Sequence, residues 1–279
     1  MKVGLYGINF GPCARPETAA RVARAAEAAG FDSVWTGEHV VLPDPQVPPS
    51  PVPARTPMLD PAVALAHLAA HTTTLRLATG IVILPQRNPV VLAKEMASLD
   101  VVSGGRLIFG VGVGYLKPEF DAIGAPFAQR AARMDEYLDA ILALWTQASP
   151  RFDGATVRFA GIDAQPRPVQ QPHPPIVIGA TSPPAWRRTV LRANGWYGFA
   201  LDSGAAAKCL AGLREAAQRV ERPAALGPLE ITVTPPPGVP DRDALARYAE
   251  LGVQRLVLLP LVRSEDELLA FVARAADLV

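Results

Sequence analysis

LATGIVILPQRNPVVLAKEMASLDVVSGGRLIFGVGVGY, residues 77–115, decides the fold of this chain. Arg76 to Leu84 is an apolar, β-branched run broken only by Thr79-Gly80, and it predicts a strand. The loop PQRNP then delivers the chain into a helix from Pro89 to Leu99, which Ser103-Gly104-Gly105 brings to a stop. Arg106 to Val113 predicts a second strand that closes on Gly110, Gly112 and Gly114. Two strands joined through a helix form a right-handed crossover and run parallel. Ligands of parallel sheets sit beyond the carboxyl ends of the strands, here Thr79 to Ile83 and Gly112 to Tyr115.

The same alternation extends in both directions. Upstream, Val3 to Phe10 predicts a strand, Glu17 to Ala29 a helix led in by Pro16, and Phe31 to Thr36 a strand running into Gly37-Glu38-His39. Val40 to Pro57 is a proline-dense loop without periodicity, the kind that serves as a lid or substrate loop. Asp60 caps a helix with Pro61 at its first position, running to about His71. Downstream, LKPEFDAIGAPF after Tyr115 reads as irregular chain, a helix spans Gln129 to Trp145, and strands are predicted at 176–179, 195–201, 229–234 and 254–261. Helices at 184–193, 204–220, 241–251 and 265–278 separate them. FDGATVRFAG, residues 152–161, alternates around Asp153-Gly154 and predicts a small inserted β-hairpin.

Hairpin aside, strands and helices alternate as an α/β chain should, and the strands are continuous apolar runs, as expected when both faces are buried. The reading is a single (β/α)8 TIM barrel over residues 1–279, with an open doubly wound sheet as its rival.

Composition narrows the function. Hydrophobic residues make up 49% and charged residues 19%, so a large core is available. A net charge of +1 gives no electrostatic case for nucleic acid or a membrane surface. No apolar run reaches the length of about 18 residues that a membrane span needs. Two cysteines make no disulfide framework, which points to a reducing cytoplasm.

Chemistry-bearing residues cluster at strand ends. His39, with Glu38 before it, falls on the rim after the second strand, where an imidazole could shuttle a proton or simply cap the strand. Gly110, Gly112 and Gly114 do not space as a dinucleotide fingerprint; missing Cβ atoms there admit a flat ligand or close packing. Gly80, late in its strand, marks a bulge or a kink. His67 and His71 share a helix face in HLAAH but lack a third ligand, so no metal is expected. Arg87 and Gly179 to Ser182 could meet an anionic group, while Arg106 is expected to pair with an acid such as Glu95.

LDPAVALAHLAAHTTTLRLATGIVILPQRNPVVLAKEMASLDVVSGGRLIFGVGVGYLKPEF resembles the bacterial luciferase-like monooxygenase superfamily, and within it the coenzyme F420-dependent oxidoreductases. FDSVWTGEHVVLP, RFDGATVRFAG, and PHPPIVIGATSPPAWRR followed by NGWYGF extend the likeness over residues 1 to about 200. The resemblance implies a barrel holding a deazaflavin, or alternatively FMN, at the carboxyl ends of the strands. It implies a cis peptide at Gly80-Ile81, with Thr79, Gly112, Gly114 and Tyr115 near the ring and the phosphate at Gly179, Ala180 and Thr181. His39 would lie near the reactive ring carbon, with Glu38 orienting its imidazole.

Three departures stand out. Glu38 replaces the usual aspartate, Tyr115 stands where relatives carry tryptophan or glutamate, and Asn194 replaces an aspartate. The implied activity is hydride transfer between F420 and a small organic substrate, in a cytoplasmic homodimer. The alternatives are an FMN-dependent monooxygenase and a non-redox barrel that has lost its cofactor.

Overall fold

The computed structural model describes residues 1–179 and 181–279, and in it each predicted strand–helix step becomes one stave of a closed barrel. The first half runs β1 (Lys2–Tyr6), α1 (Pro16–Ala28), β2 (Ser33–Thr36), α2 (Pro61–Ala69), β3 (Arg76–Thr79), β4 (Val82–Ile83), α3 (Pro89–Val102) and β5 (Leu107–Gly112). There follow α4 (Lys117–Ile123), α5 (Arg130–Thr146), β6 (Phe152–Asp153), β7 (Arg158–Phe159), β8 (Ile176–Gly179), α6 (Pro183–Arg192) and β9 (Gly195–Gly198). The chain ends with α7 (Ser203–Arg219), β10 (Glu230–Val233), α8 (Arg242–Glu250), β11 (Arg255–Leu258) and α9 (Glu265–Ala275).

All barrel pairings are parallel. β1 lies between β2 and β11, β3 joins β2 to β5, and β8, β9 and β10 complete the circuit. β4 continues the stave begun by β3, so the described residues form an eight-stave (β/α)8 barrel. β6 and β7 pair antiparallel outside it, as the hairpin reading predicts. Glu136 on α5 holds that hairpin, accepting from the Thr156 and Val157 amides at 2.7 and 2.8 Å.

Strand alternation divides the core in two. Leu107, Phe109 and Val111 face the helices, while Ile108 joins Trp35, Ala78, Val177, Tyr197 and Val257 inside the barrel. Tyr6 and Ile81 pack on the inner group. Trp35 and Tyr197 stack across the interior at 4.9 Å. At the amino end Arg255, 2% exposed, donates to Asp32 at 2.8 Å and pairs with Glu230, closing the base with matched charge.

Boundaries differ from the sequence reading where glycine or proline intervenes. β1 stops at Tyr6, because Gly7 turns the chain with φ +87°. α2 ends at Ala69, two residues before His71. The single strand expected over 76–84 is two, β3 and β4, separated at Gly80-Ile81. α4, expected as irregular chain, is a seven-residue helix that Gly124 terminates with φ +78°.

Candidate active site

The carboxyl rim is organised by the break between β3 and β4. Ala78 faces Ile108 and Val82 faces Val111, so the β3–β4 side carries one residue more than β5 between these pairs. That extra residue is a bulge. The Gly80-Ile81 peptide within it is cis, as the resemblance implies. Thr79 clamps the bulge to β5: its hydroxyl donates to Gly110 O at 2.7 Å and accepts from Gly110 N at 2.8 Å.

The rim glycines serve this bulge. A Cβ at Gly110 would fall 1.9 Å from Thr79 O, one at Gly112 would fall 2.6 Å from Ile81 Cδ1, and one at Gly179 would fall 3.2 Å from Ile81 Cγ2. At Gly114 the obstacles are Ile83 and Phe120, at 2.5 and 2.8 Å. The space freed at these glycines is therefore filled by the protein itself, with Ile81 half-buried between Gly112 and Gly179. The packing alternative for the glycines is the one observed, and Ile81 forms the floor of the barrel mouth.

Glu38 does not orient His39. Its fully buried carboxylate accepts from Ile83 N, just past the bulge, and from Arg87 Nη2. Arg87 also donates to Asp60 at 2.6 Å, and the other Asp60 oxygen caps α2 through Ala62 N and Val63 N. Burial pushes the Glu38 carboxyl above its ordinary value, while Arg87 and the Ile83 amide oppose that shift. Both partners are donors, so the contacts require the ionised carboxylate. Glu38 thus ties β2, the bulge and α2 together, and Arg87 is committed to two acids instead of a ligand's anionic group.

The partner of His39 is Glu119 on α4. His39 Nδ1 lies 3.2 Å from Glu119 Oε2, and the other Glu119 oxygen accepts from Val40 N at 2.5 Å. The carboxylate is 0% exposed and the imidazole 9% exposed. Because the carboxylate accepts at Nδ1, this nitrogen carries a proton and Nε2 turns toward the mouth. There it meets the Tyr115 hydroxyl at 3.4 Å, with the two rings edge to face.

An aromatic wall stands opposite. Tyr6 packs against Phe199 at 4.9 Å and Phe10 at 5.8 Å, and Phe199 is 44% exposed. The Tyr6 hydroxyl is raised above its ordinary pKa by burial first and Tyr115 second. The proline-rich loop returns to this wall: Asn9 Nδ2 donates to Leu59 O at 2.7 Å, and Gly11 N donates to Pro57 O at 3.0 Å.

The remaining candidates separate from the mouth. Thr181 and Ser182 are exposed at the start of α6, but Pro183 and Pro184 carry no N–H, which thins any anion cradle there; Ala180 lies outside the described residues. Arg106 does not pair with Glu95. It donates to Ala69 O, Leu75 O, Ser103 O and the Thr72 hydroxyl. Asn194 sits at the amino end of β8, its Oδ1 accepting from Ile176 N at 2.9 Å, so this departure lies away from the site. His67 and His71 meet edge to face at 4.6 Å and contact Pro16 O and Arg24 respectively. Among the described residues no group of His, Cys, Asp and Glu gathers to hold a metal, and no helix is long and apolar enough to cross a membrane.

Sequence reasoning missed Glu119, Arg87 as the partner of Glu38, and the second role of Asp60 as a partner of Arg87. The signal for Glu119 was present in the KPEF segment after Tyr115, but its pairing with His39 spans 80 positions and a helix read as irregular chain.

The geometry is thus a parallel barrel with a bulged third stave and an acid–histidine pair at its carboxyl rim. The chain belongs to the luciferase-like monooxygenase family, whose model matches residues 5–258. It is 34% identical to an uncharacterised protein of Mycobacterium tuberculosis over 282 residues, covering 97% of each chain. Over 140 residues it is 36% identical to an FMNH2-dependent dimethylsulfone monooxygenase of Pseudomonas putida, covering 49% of this chain and 38% of that one. An F420-dependent secondary alcohol dehydrogenase, solved with an F420–acetone adduct, shares the fold with a TM-score of 0.79. That likeness covers 98% of this chain and 97% of the other, at 15% identity.

Proposed function

We propose that this oxidoreductase of the luciferase-like family uses coenzyme F420 and moves a hydride between the deazaflavin and a small organic substrate. The observation that carries the reading is the His39–Glu119 pair at the edge of the Ile81 floor. Hydride transfer to or from a small molecule leaves one proton to be placed, and a buried carboxylate behind an imidazole is built to hold one. The surface offered to a ring is the half-buried aliphatic side chain of Ile81, seated against Gly112 and Gly179. In this reading Ile81 meets the ring face, with Thr79 and Gly80 fixing it from behind, Gly112 and Tyr115 lie toward the ring's edge, with Gly114 setting the turn that places Tyr115, and Gly179 to Thr181 would meet the phosphate.

When bound, the cofactor supplies the hydride chemistry. The chain's own work is to keep the bulge fixed through Thr79 and Glu38, to present apolar walls at Tyr6 and Phe199, and to place a proton through His39. The exposed Phe199, Val40 and Val41 favour a substrate with apolar surface. The whole-length fold likeness to an F420-dependent dehydrogenase is in keeping with this reading, and monooxygenases share the same fold. An FMN-dependent monooxygenase is the second reading, favoured by the partial identity to the dimethylsulfone enzyme. The non-redox alternative loses the support of Asn194, whose side chain is accounted for by β8.

We also infer a cytoplasmic homodimer. Val63, Val91 and Val102, 54–65% exposed, put apolar side chains on the outer faces of α2 and α3, a surface that a second copy could cover and that sedimentation equilibrium checks. The cofactor test is absorbance of the purified protein after incubation with F420 or FMN, followed by titration of each. Saturable binding of F420 supports the proposal. Tight FMN binding without measurable F420 binding moves the assignment to the monooxygenase.

A further inference from the structure

The relay at the mouth has a third member. His39 has one ring nitrogen bound to Glu119, and the other lies 3.4 Å from the Tyr115 hydroxyl. The imidazole is 9% exposed, whereas Tyr115 is 49% exposed and stands at the open side. A substrate entering the mouth therefore reaches the phenol before it reaches the imidazole. Gly114 makes this possible: with φ +74° it turns the chain straight after β5, and the Ile83 and Phe120 contacts fix the turn. Resting on the hydride-transfer reading, we propose that Tyr115 is the group that exchanges the proton with substrate, with His39 reloading it from behind and Glu119 holding the imidazole in place.

The step balances as follows for reduction of a carbonyl. The reduced cofactor would supply a hydride for the new C–H bond as the carbonyl π electrons move to oxygen, and the proton it retains would return to solvent. Tyr115 Oη would give its proton to that oxygen, and a His39 that had taken a second proton from solvent at Nε2 would pass it to the phenolate oxygen. His39 ends neutral, still donating from Nδ1 to Glu119. The substrate has gained two electrons and the deazaflavin has lost them. Oxidation of an alcohol runs the same transfers in reverse.

The electrostatics suit a phenol that stays protonated between turnovers. Burial, then the Glu119 carboxylate, raises the Tyr115 hydroxyl above its ordinary pKa. The titratable groups facing it are His39, Glu119 and the buried Tyr6 hydroxyl. Tyr115→Phe removes only the hydroxyl and keeps the ring that packs against His39.

The experiment uses wild type, Tyr115→Phe, His39→Asn and the double variant in two arms. In the cofactor-free protein, the ultraviolet titration of Tyr115 is taken as the wild-type curve minus that of Tyr115→Phe. Coupling predicts that His39→Asn displaces this component, and an unchanged component overturns the relay. In the loaded protein, F420 affinity and oxidation of reduced F420 by small ketones and aldehydes are measured. Tyr115→Phe should bind F420 within about threefold of wild type yet lose about 10²-fold in turnover, within the span of general acid catalysis. The double variant should be no slower than His39→Asn, because both act in one chain. Turnover of Tyr115→Phe near wild type, or losses that multiply, overturns the proposal. If F420 fails to bind wild type or no carbonyl is reduced, the hydride reading fails, and the cofactor-free titration alone decides whether the relay exists.

Discussion

Replacing Gly110 by alanine tests the bulge on which the site is built. The new Cβ would lie 1.9 Å from Thr79 O and 3.1 Å from Thr79 C. Carbon–oxygen contacts normally run about 3.3–3.6 Å, so one strand must move by more than about 1 Å. The obstacle is backbone, and no side chain can swing aside to relieve it. The move also pulls apart the two bonds between the Thr79 hydroxyl and Gly110, at 2.7 and 2.8 Å. Overpacking costs about 1–3 kcal/mol, and two buried hydrogen bonds add about 1 kcal/mol each. The sum, about 3–5 kcal/mol, is a large share of a typical stability of about 5–15 kcal/mol. At about 2–4 °C per kcal/mol for a chain of this size, melting should fall by about 6–20 °C. The assay is thermal unfolding by circular dichroism, with Gly204→Ala as control. Gly204 lies in the first turn of α7 with its nearest neighbour atom at 3.4 Å, so alanine there should be neutral or stabilising. Melting of Gly110→Ala within about 2 °C of wild type, a shift worth about 1 kcal/mol or less, would refute the close-approach argument.

Glu38→Gln leaves Arg87 with Asp60 alone and should cost about 3 kcal/mol in chemical denaturation, the low end for a broken buried pair because Arg87 is partly exposed. Glu27 faces a desolvation cost, yet the Thr73, Thr74 and Leu75 amides outweigh it and hold its carboxyl down at about 2 against an ordinary 4.5. Its folded value is depressed, so its contribution is present above about pH 4.5 and lost as pH falls through about 2. Glu27→Gln should flatten that part of the stability–pH curve. Cys13 is buried with its thiol pushed up to about 12 by burial first and Glu265 second, so Ellman's reagent at pH 8 should leave it unmodified until the protein is unfolded.

The alternation of apolar strands with capped helices was legible because it is local. Asp60 at a helix start and the glycine stop after α3 report on their immediate neighbours, and the barrel follows from repeating one right-handed crossover. The location of His39 on the rim followed from the same logic. Its chemistry did not, because the partner of an imidazole depends on which loops meet above the barrel. Adjacency in sequence suggested Glu38, but at the end of a strand successive side chains diverge. Glu38 turns down to Ile83 and Arg87, while His39 turns toward α4. The rim glycines were ambiguous for a related reason. Spacing alone says that a Cβ is missing, and only the course of the bulge says that Ile81 takes its place.

The central claim is that the bulged stave and the acid–histidine rim bind a deazaflavin. The direct measurement is amide hydrogen exchange by mass spectrometry across a titration with F420 and, separately, with FMN. The account predicts saturable binding of F420 with protection concentrated at Thr79 to Ile83 and Gly112 to Tyr115, and weaker effects from FMN. Saturable F420 binding that protects other segments, or protection at these segments by FMN alone, would contradict it.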